Sequence, residues 1–246
     1  MFILALNLMV AAPSAAVLSE ADALWANRTP ANFSKNAQAV VTKLKPHAKD
    51  FEGAWRLARA YCWLSERKPY FKDTKYKARL GGLAMKHAQT AMKTQPKRVE
   101  GHYYYAWAVG QWSLGVSIPT ALWKGAEGKL RKSMKSAESM NSAYDYYGVY
   151  RMWGRFFHSL PWPKHDGAKA LKYLSKANAR TPKNLRGYFY LAEAQIAAEQ
   201  PQKACATVTK ALAVKASSSQ EPDWKNWRRD LGKLKAAQCK KTLDAL

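Results

Sequence analysis

Acidic side chains are scarce in this chain. Of its 246 residues 17 are Asp or Glu against 41 Lys or Arg, a formal charge of +24 at pH 7. Such an excess bears on solubility and association, not on fold. Cysteine occurs three times, too rarely for a disulfide framework. No strand pattern, low-complexity tract or domain-separating linker is present. Catalytic signatures are missing too. There is no H-E-x-x-H and no G-x-S-x-G. Gly125-Ala-Glu-Gly128-Lys129-Leu130 fails as a phosphate loop, because its first glycine is too close and Leu130 stands where Ser or Thr belongs. His158, His165 and Asp166 sit in and beside a proline-rich loop with no second ligand cluster, so no metal or other cofactor is expected. These absences argue against an enzyme. No nucleic-acid-binding module is visible either, which leaves nucleic acid a minor option despite the charge.

What is present is internal repetition. Gly53-Ala-Trp55-Arg-Leu57-Ala58, Gly101-His-Tyr103-Tyr-Tyr105-Ala106 and Gly187-Tyr-Phe189-Tyr-Leu191-Ala192 share one pattern, and Gly148-Val-Tyr150-Arg-Met152-Trp153 keeps all but its final Ala. Lys169-Ala170, Leu174 and Lys176-Ala177 recur 34 residues later as Lys203-Ala204, Val208 and Lys210-Ala211. A helix pair stacked at this period resembles the tetratricopeptide (TPR) repeat. Numbered from Leu185, the repeat places Leu191, Ala192, Ala204, Val208 and Ala211 at the large and small positions of that pattern. The alanines would let the paired helices approach, with Leu191 and Val208 filling the layer between them. Pro96 and Pro182 each follow an alanine by five residues, where a second helix should stop. The expected fold is an all-α, TPR-like α-α superhelix of about four to five antiparallel helix pairs over residues 17–216. A linker and a capping helix from Asp223 to about Asp244 would follow within residues 217–246, the helix closing the last face with Trp224, Trp227, Leu231 and Leu234.

Three copies exceed the period, and the surplus falls between the first and second helix: Ser65 to Tyr76, Ser113 to Lys124, Ser159 to Asp166. Inserts on one edge of a solenoid often build its binding face.

Residues 1–16 read as a secretory signal, uncharged, apolar and ending in Ser14-Ala-Ala16, which predicts export to the periplasm or beyond and a mature chain from Val17. A buried N-terminal helix is the alternative. Cysteine fits export without requiring it. A disulfide between Cys205 and Cys239 would pin the cap to the last repeat and leave Cys62 over, whereas three small buried hydrophobes would need no bond. Basic residues cluster on the second helices and the last helix, among them Lys72, Lys75, Lys77, Arg79 and Lys86, then Lys124, Lys129, Arg131, Lys132 and Lys135. They form either a plain solvated convex face or a surface that adheres to an anionic envelope or an acidic protein partner.

In TPR-like units, positions 2, 5, 9 and 12 of the first helix face the concave groove. Position 5 is then Trp55, Tyr103, Tyr150 and Phe189. Position 2 is Glu52, Glu100, Tyr147 and Arg186, and position 9 includes Arg59, Trp107 and Glu193. An aromatic ladder with a few charges suits an extended peptide or an apolar ligand. The same rings packed between repeats would be core instead.

A narrower likeness is carried by Arg151-Met-Trp-Gly154-Arg-Phe-Phe-His-Ser-Leu160-Pro-Trp-Pro163-Lys-His-Asp166, followed by the helix ending Ala177 to Pro182 and by Tyr190-Leu-Ala-Glu193. This run resembles the T-component family of tripartite ATP-independent periplasmic (TRAP) transporters. The resemblance implies a periplasmic TPR-like solenoid, some relatives being trimers, that passes an apolar ligand to or from a substrate-binding subunit.

Overall fold

The computed structural model describes residues 12–66, 73–215 and 221–243, with side chains to residue 239. Every regular element among the described residues is helical: α1 (Ala15–Ala26), α2 (Phe33–Leu44), α3 (Phe51–Glu66), α4 (Thr74–Thr94), α5 (Val99–Ser113), α6 (Ile118–Trp123), α7 (Ala126–Asn141), α8 (Tyr144–Ser159), α9 (Gly167–Arg180), α10 (Leu185–Ala197), α11 (Pro201–Leu212) and α12 (Trp224–Leu243), with a short 3-10 turn at Lys45–His47. The chain divides into two compact units. One holds Met1–Trp25 and Ser34–Ser133, the other Ala26–Phe33 and Met134–Leu246.

In the first unit α3 packs on α4 and α4 on α5, and α3 also touches α5. The core joins Ala21 of α1, Ala37, Val40 and Leu44 of α2, Leu57, Ala60 and Leu64 of α3 and Leu80 of α4. Their three- and four-residue spacing is what an amphipathic helix needs to bury one stripe. Helix α1 is thus part of the packed interior at Ala21, while residues 1–11 of the expected leader lie outside the described residues. Asp73 caps α4 by accepting from the Tyr76 amide at 3.0 Å.

The second unit pairs α8 with α9 and α10 with α11, and α12 packs on α10 and α11. Ala170, Leu174 and Ala177 of α9 are buried, as are Ala204, Val208 and Ala211 of α11, so the 34-residue register describes the packing. Asp166 and Asn184 cap α9 and α10. A disulfide joins Cys205 of α11 to Cys239 of α12, with 5.5 Å between the Cα atoms, and Cys62 is a buried thiol in the other unit.

The glycine that opens the repeated motif marks a close crossing. A Cβ on Gly53 would lie 2.2 Å from the His47 carbonyl oxygen, and one on Gly187 would lie 2.2 Å from Asn178 Oδ1. At Gly53 the obstacle is backbone and leaves no space for a side chain, whereas at Gly187 the Asn178 side chain would have to move.

Two of the expected inserts are described. Residues 160–166 form a loop. The stretch after Ser113 contains α6, which the sequence reading missed because Pro119 marked it as loop; a proline in the first turn leaves a helix intact. The middle of the third insert, residues 67–72 with Lys72, lies outside the described residues.

Candidate partner-binding surfaces

The repeat register places the expected groove residues on the first three turns of α3, α5, α8 and α10, where packing has largely closed over them. In the first unit Trp55 is buried and stacks on Tyr104 at 5.9 Å, and Trp63 meets Trp107 and Trp25 edge-on, each at 5.4 Å. Tyr103 is only 2% exposed. Helix α1 supplies the cover: Arg59 lies with its guanidinium carbon 4.2 Å from the Trp25 ring centre and 4.7 Å from that of Trp55, while Arg56 sits over Trp55. Both arginines donate to Asp22, Arg56 through Nη2 at 2.7 Å and Arg59 through Nη2 at 2.8 Å, and Glu52 accepts from Arg56 and from the Trp55 indole. Burial would raise the Asp22 carboxyl, but the hydrogen bonds from Arg56 and Arg59 outweigh it and hold the group below its ordinary value. Glu100 is buried and paired with Arg98.

In the second unit Tyr150 is buried under the Lys176 ammonium at 3.9 Å and stacks with the half-buried Tyr147. Phe189 packs against Trp227 of α12 at 5.4 Å. Glu193 accepts from Arg155 at 2.6 Å. The position-5 rings therefore act as core and cap contacts. A ladder of open rings is not formed, because neighbouring aromatics, α1 and α12 compete for the same apolar surface.

A polar cluster that sequence reasoning did not find lies beside Phe189. Asp145, Tyr146 and Tyr147 have φ of 49°, 56° and 57°, one left-handed turn at the start of α8. Non-glycine residues rarely adopt this conformation. Buried Arg151 holds it, donating to the carbonyls of Tyr146 (2.5 Å) and Asp145 (2.6 Å) and to Asp145 Oδ2 (3.0 Å). Glu221, buried ahead of α12, accepts from Asn184 Nδ2 and from the Arg186 amide, both at 3.1 Å. Burial, with Asp223 adding repulsion, pushes its carboxyl up to about 8 against the pull of Arg151 and Arg186. Arg186 is itself buried and donates to the Tyr190 hydroxyl at 3.1 Å. The cluster ties α8, α10 and the approach to α12 together. Among the described residues no three His, Cys, Asp or Glu side chains are grouped to hold a metal, and the His158 and His165 rings stand 6.2 Å apart.

Arg56, Arg59 and Arg151 thus meet acids from buried positions, and many lysines stand outside. Lys86 and Lys93 of α4, Lys129, Lys132 and Lys135 of α7, Lys172 of α9, and Lys203 and Lys210 of α11 are exposed. Lys77 departs from the expected basic face: it is buried and donates to Gln111 Oε1 at 3.4 Å.

Comparison with known proteins gives a family and a fold. A family model described as regulator of microtubule dynamics protein 1-3 matches residues 17–235. This is not the transporter T-component family that the Leu160–Pro163 run resembles. No curated protein matches the sequence significantly. Among solved structures the chain is similar to a thermophilic TPR protein from Thermus thermophilus, with a TM-score of 0.66 at 19% identity over 91% of this chain and 97% of that one. At that identity the likeness establishes the TPR-like fold alone.

Proposed function

This chain belongs to the regulator of microtubule dynamics protein 1-3 family, and we propose that it works as a non-enzymatic TPR-like scaffold that binds an acidic protein partner. One observation carries the reading. Asp22, Glu52, Asp145 and Glu193 are paired with arginines, of which Arg56, Arg59 and Arg151 are buried, while lysines on α4, α7, α9 and α11 face solvent. Part of the surplus of 41 basic over 17 acidic residues is thus carried by exposed lysines, where it steers association with a surface of opposite charge. The family's name attaches microtubule regulation to its members, and an acidic protein surface is the partner these helices fit. A ligand inserted among the aromatic rings is less favoured, because Tyr103, Trp107 and Tyr150 are already buried.

The test uses polyglutamate as a fluorescent acidic probe. Binding should weaken steeply with added salt, and Lys172→Glu with Lys203→Glu and Lys210→Glu should lower it several-fold. Affinity that ignores salt and these reversals would overturn the proposal. Export is a separate proposal resting on the apolar leader. Cleavage after Ala16 would spare Asp22 and Trp25, and N-terminal sequencing of purified protein should then begin near Val17; an intact Met1 terminus would refute it.

A further inference from the structure

The excursion between α5 and α7 exposes apolar side chains. Ser117 caps α6 by accepting from the Thr120 amide, and the chain leaves it through Lys124 and Gly125, whose φ is +65°. Leu114, Ile118 and Leu122, four residues apart, all face solvent, with Ile118 and Leu122 each 58% exposed and Trp123 81% exposed. These four form most of the large hydrophobic side chains exposed among the described residues. The Lys124 ammonium rests 4.4 Å from the centre of the Trp123 ring. Sharing Lys124 with this segment, a pocket of about 280 Å³ is lined by the apolar Met85, Val109 and Trp112 and by three lysines, Lys86, Lys124 and Lys129.

We infer that α6 and this cavity form a membrane-docking tip that recognises an anionic phospholipid surface. The shape decides against a peptide. A peptide anchor enters a groove, whereas here the aliphatic and indole groups protrude, Trp123 above all. Protruding Ile, Leu and Trp beside lysines match a bilayer interface, where rings settle at the headgroup level above acyl chains and ammonium groups meet lipid phosphates. The cavity adds a place for one headgroup phosphate among Lys86, Lys124 and Lys129. No described helix is long and apolar enough to cross a membrane. Exposed Trp162 stands alone on the loop after α8, without such an apolar neighbour stripe, and serves as the control.

The experiment is sedimentation of the full chain with vesicles of phosphatidylcholine plus phosphatidylserine, and with phosphatidylcholine alone. The protein should pellet with the anionic vesicles only. Leu122→Ser with Trp123→Ser should weaken this by about tenfold, the loss of two interfacial apolar anchors. Lys124→Glu with Lys129→Glu should weaken it at least as much, and Trp162→Ser should leave it unchanged. All replaced side chains are exposed or at a cavity edge, and unchanged melting curves would verify folding. No binding to anionic vesicles, or equal binding by the α6 variants, would overturn the inference. So would loss of polyglutamate binding in the Leu122 and Trp123 variant without any vesicle contact, since that would make the tip a protein-docking surface. The lysines of α9 and α11 that test the scaffold proposal are not part of this tip, so the two readings fail separately.

Discussion

Asp22 Oδ1 accepts a hydrogen bond from Arg59 Nη2 at 2.8 Å across 37 residues of sequence. This contact seats α1 on the aromatic face of α3 and turns two expected ligand-binding side chains, Trp55 and Arg59, into interior ones. It also sets the cost of disturbing that face. Asp22→Asn should destabilise the protein by roughly 1–2 kcal/mol, a discounted figure because the carboxylate is part-exposed. The folded carboxyl sits below its ordinary value, so its contribution is present at neutral pH and is lost as pH falls through the folded value. Urea melts of both proteins should differ at neutral pH and converge in strong acid.

Glu221 works in the opposite direction. Its folded carboxyl, at about 8, holds a proton that the unfolded chain gives up near 4.5. The Glu221 contribution to stability is therefore full below about 4.5 and declines as pH rises toward about 8. Glu221→Gln, which cannot ionise, should flatten the dependence of melting temperature on pH across this window. An unchanged slope would place the ionisation elsewhere.

Packing at the helix crossings can be separated from surface chemistry. Ala204 is buried at the repeat's small position and Lys203 beside it is exposed. Ala204→Leu should cost about 1–3 kcal/mol through overpacking, whereas Lys203→Leu should change little. Tyr103→Ala, at a nearly closed core site, should cost about 3–5 kcal/mol. Denaturant midpoints that failed to rank these three would contradict the register.

The Cys205–Cys239 bond closes a 34-residue separation. Thiol titration of the unfolded, unreduced protein should find one group, Cys62, and three after reduction. Reduction should lower stability by about 3–4 kcal/mol if loop entropy dominates.

The repeat was legible because small residues at fixed spacing have a local steric cause: Ala204, Ala211 and Ala177 let helices approach wherever they occur. Other features depend on residues distant in sequence. Nothing near Trp55 announces that α1 will cover it, since Asp22 lies more than thirty positions away. The left-handed turn at Asp145–Tyr147 contains no glycine to signal it and is held by Arg151 on the next turns of the same helix. Lys77 reads as one member of a basic run, yet the Gln111 side chain gives its ammonium a buried acceptor. Helix α6 was hidden because proline serves both loops and helix starts. The candidate docking surface was legible only as an insert of unusual length. Its exposed stripe emerges once α6 turns the four-residue spacing of Ile118 and Leu122 into a shared direction.

The tight crossings at Gly53 and Gly187 have a consequence for how such a chain can diversify. They bring the first turn of α3 against the backbone of the preceding 3-10 turn and that of α10 against the Asn178 side chain of the preceding α9. The joint between successive modules is therefore fixed at a point well away from the hinge within each module. Residues can be added or removed at the hinge without disturbing the joint, so new surface elements such as α6 can arise as local insertions while the stacked framework is inherited intact.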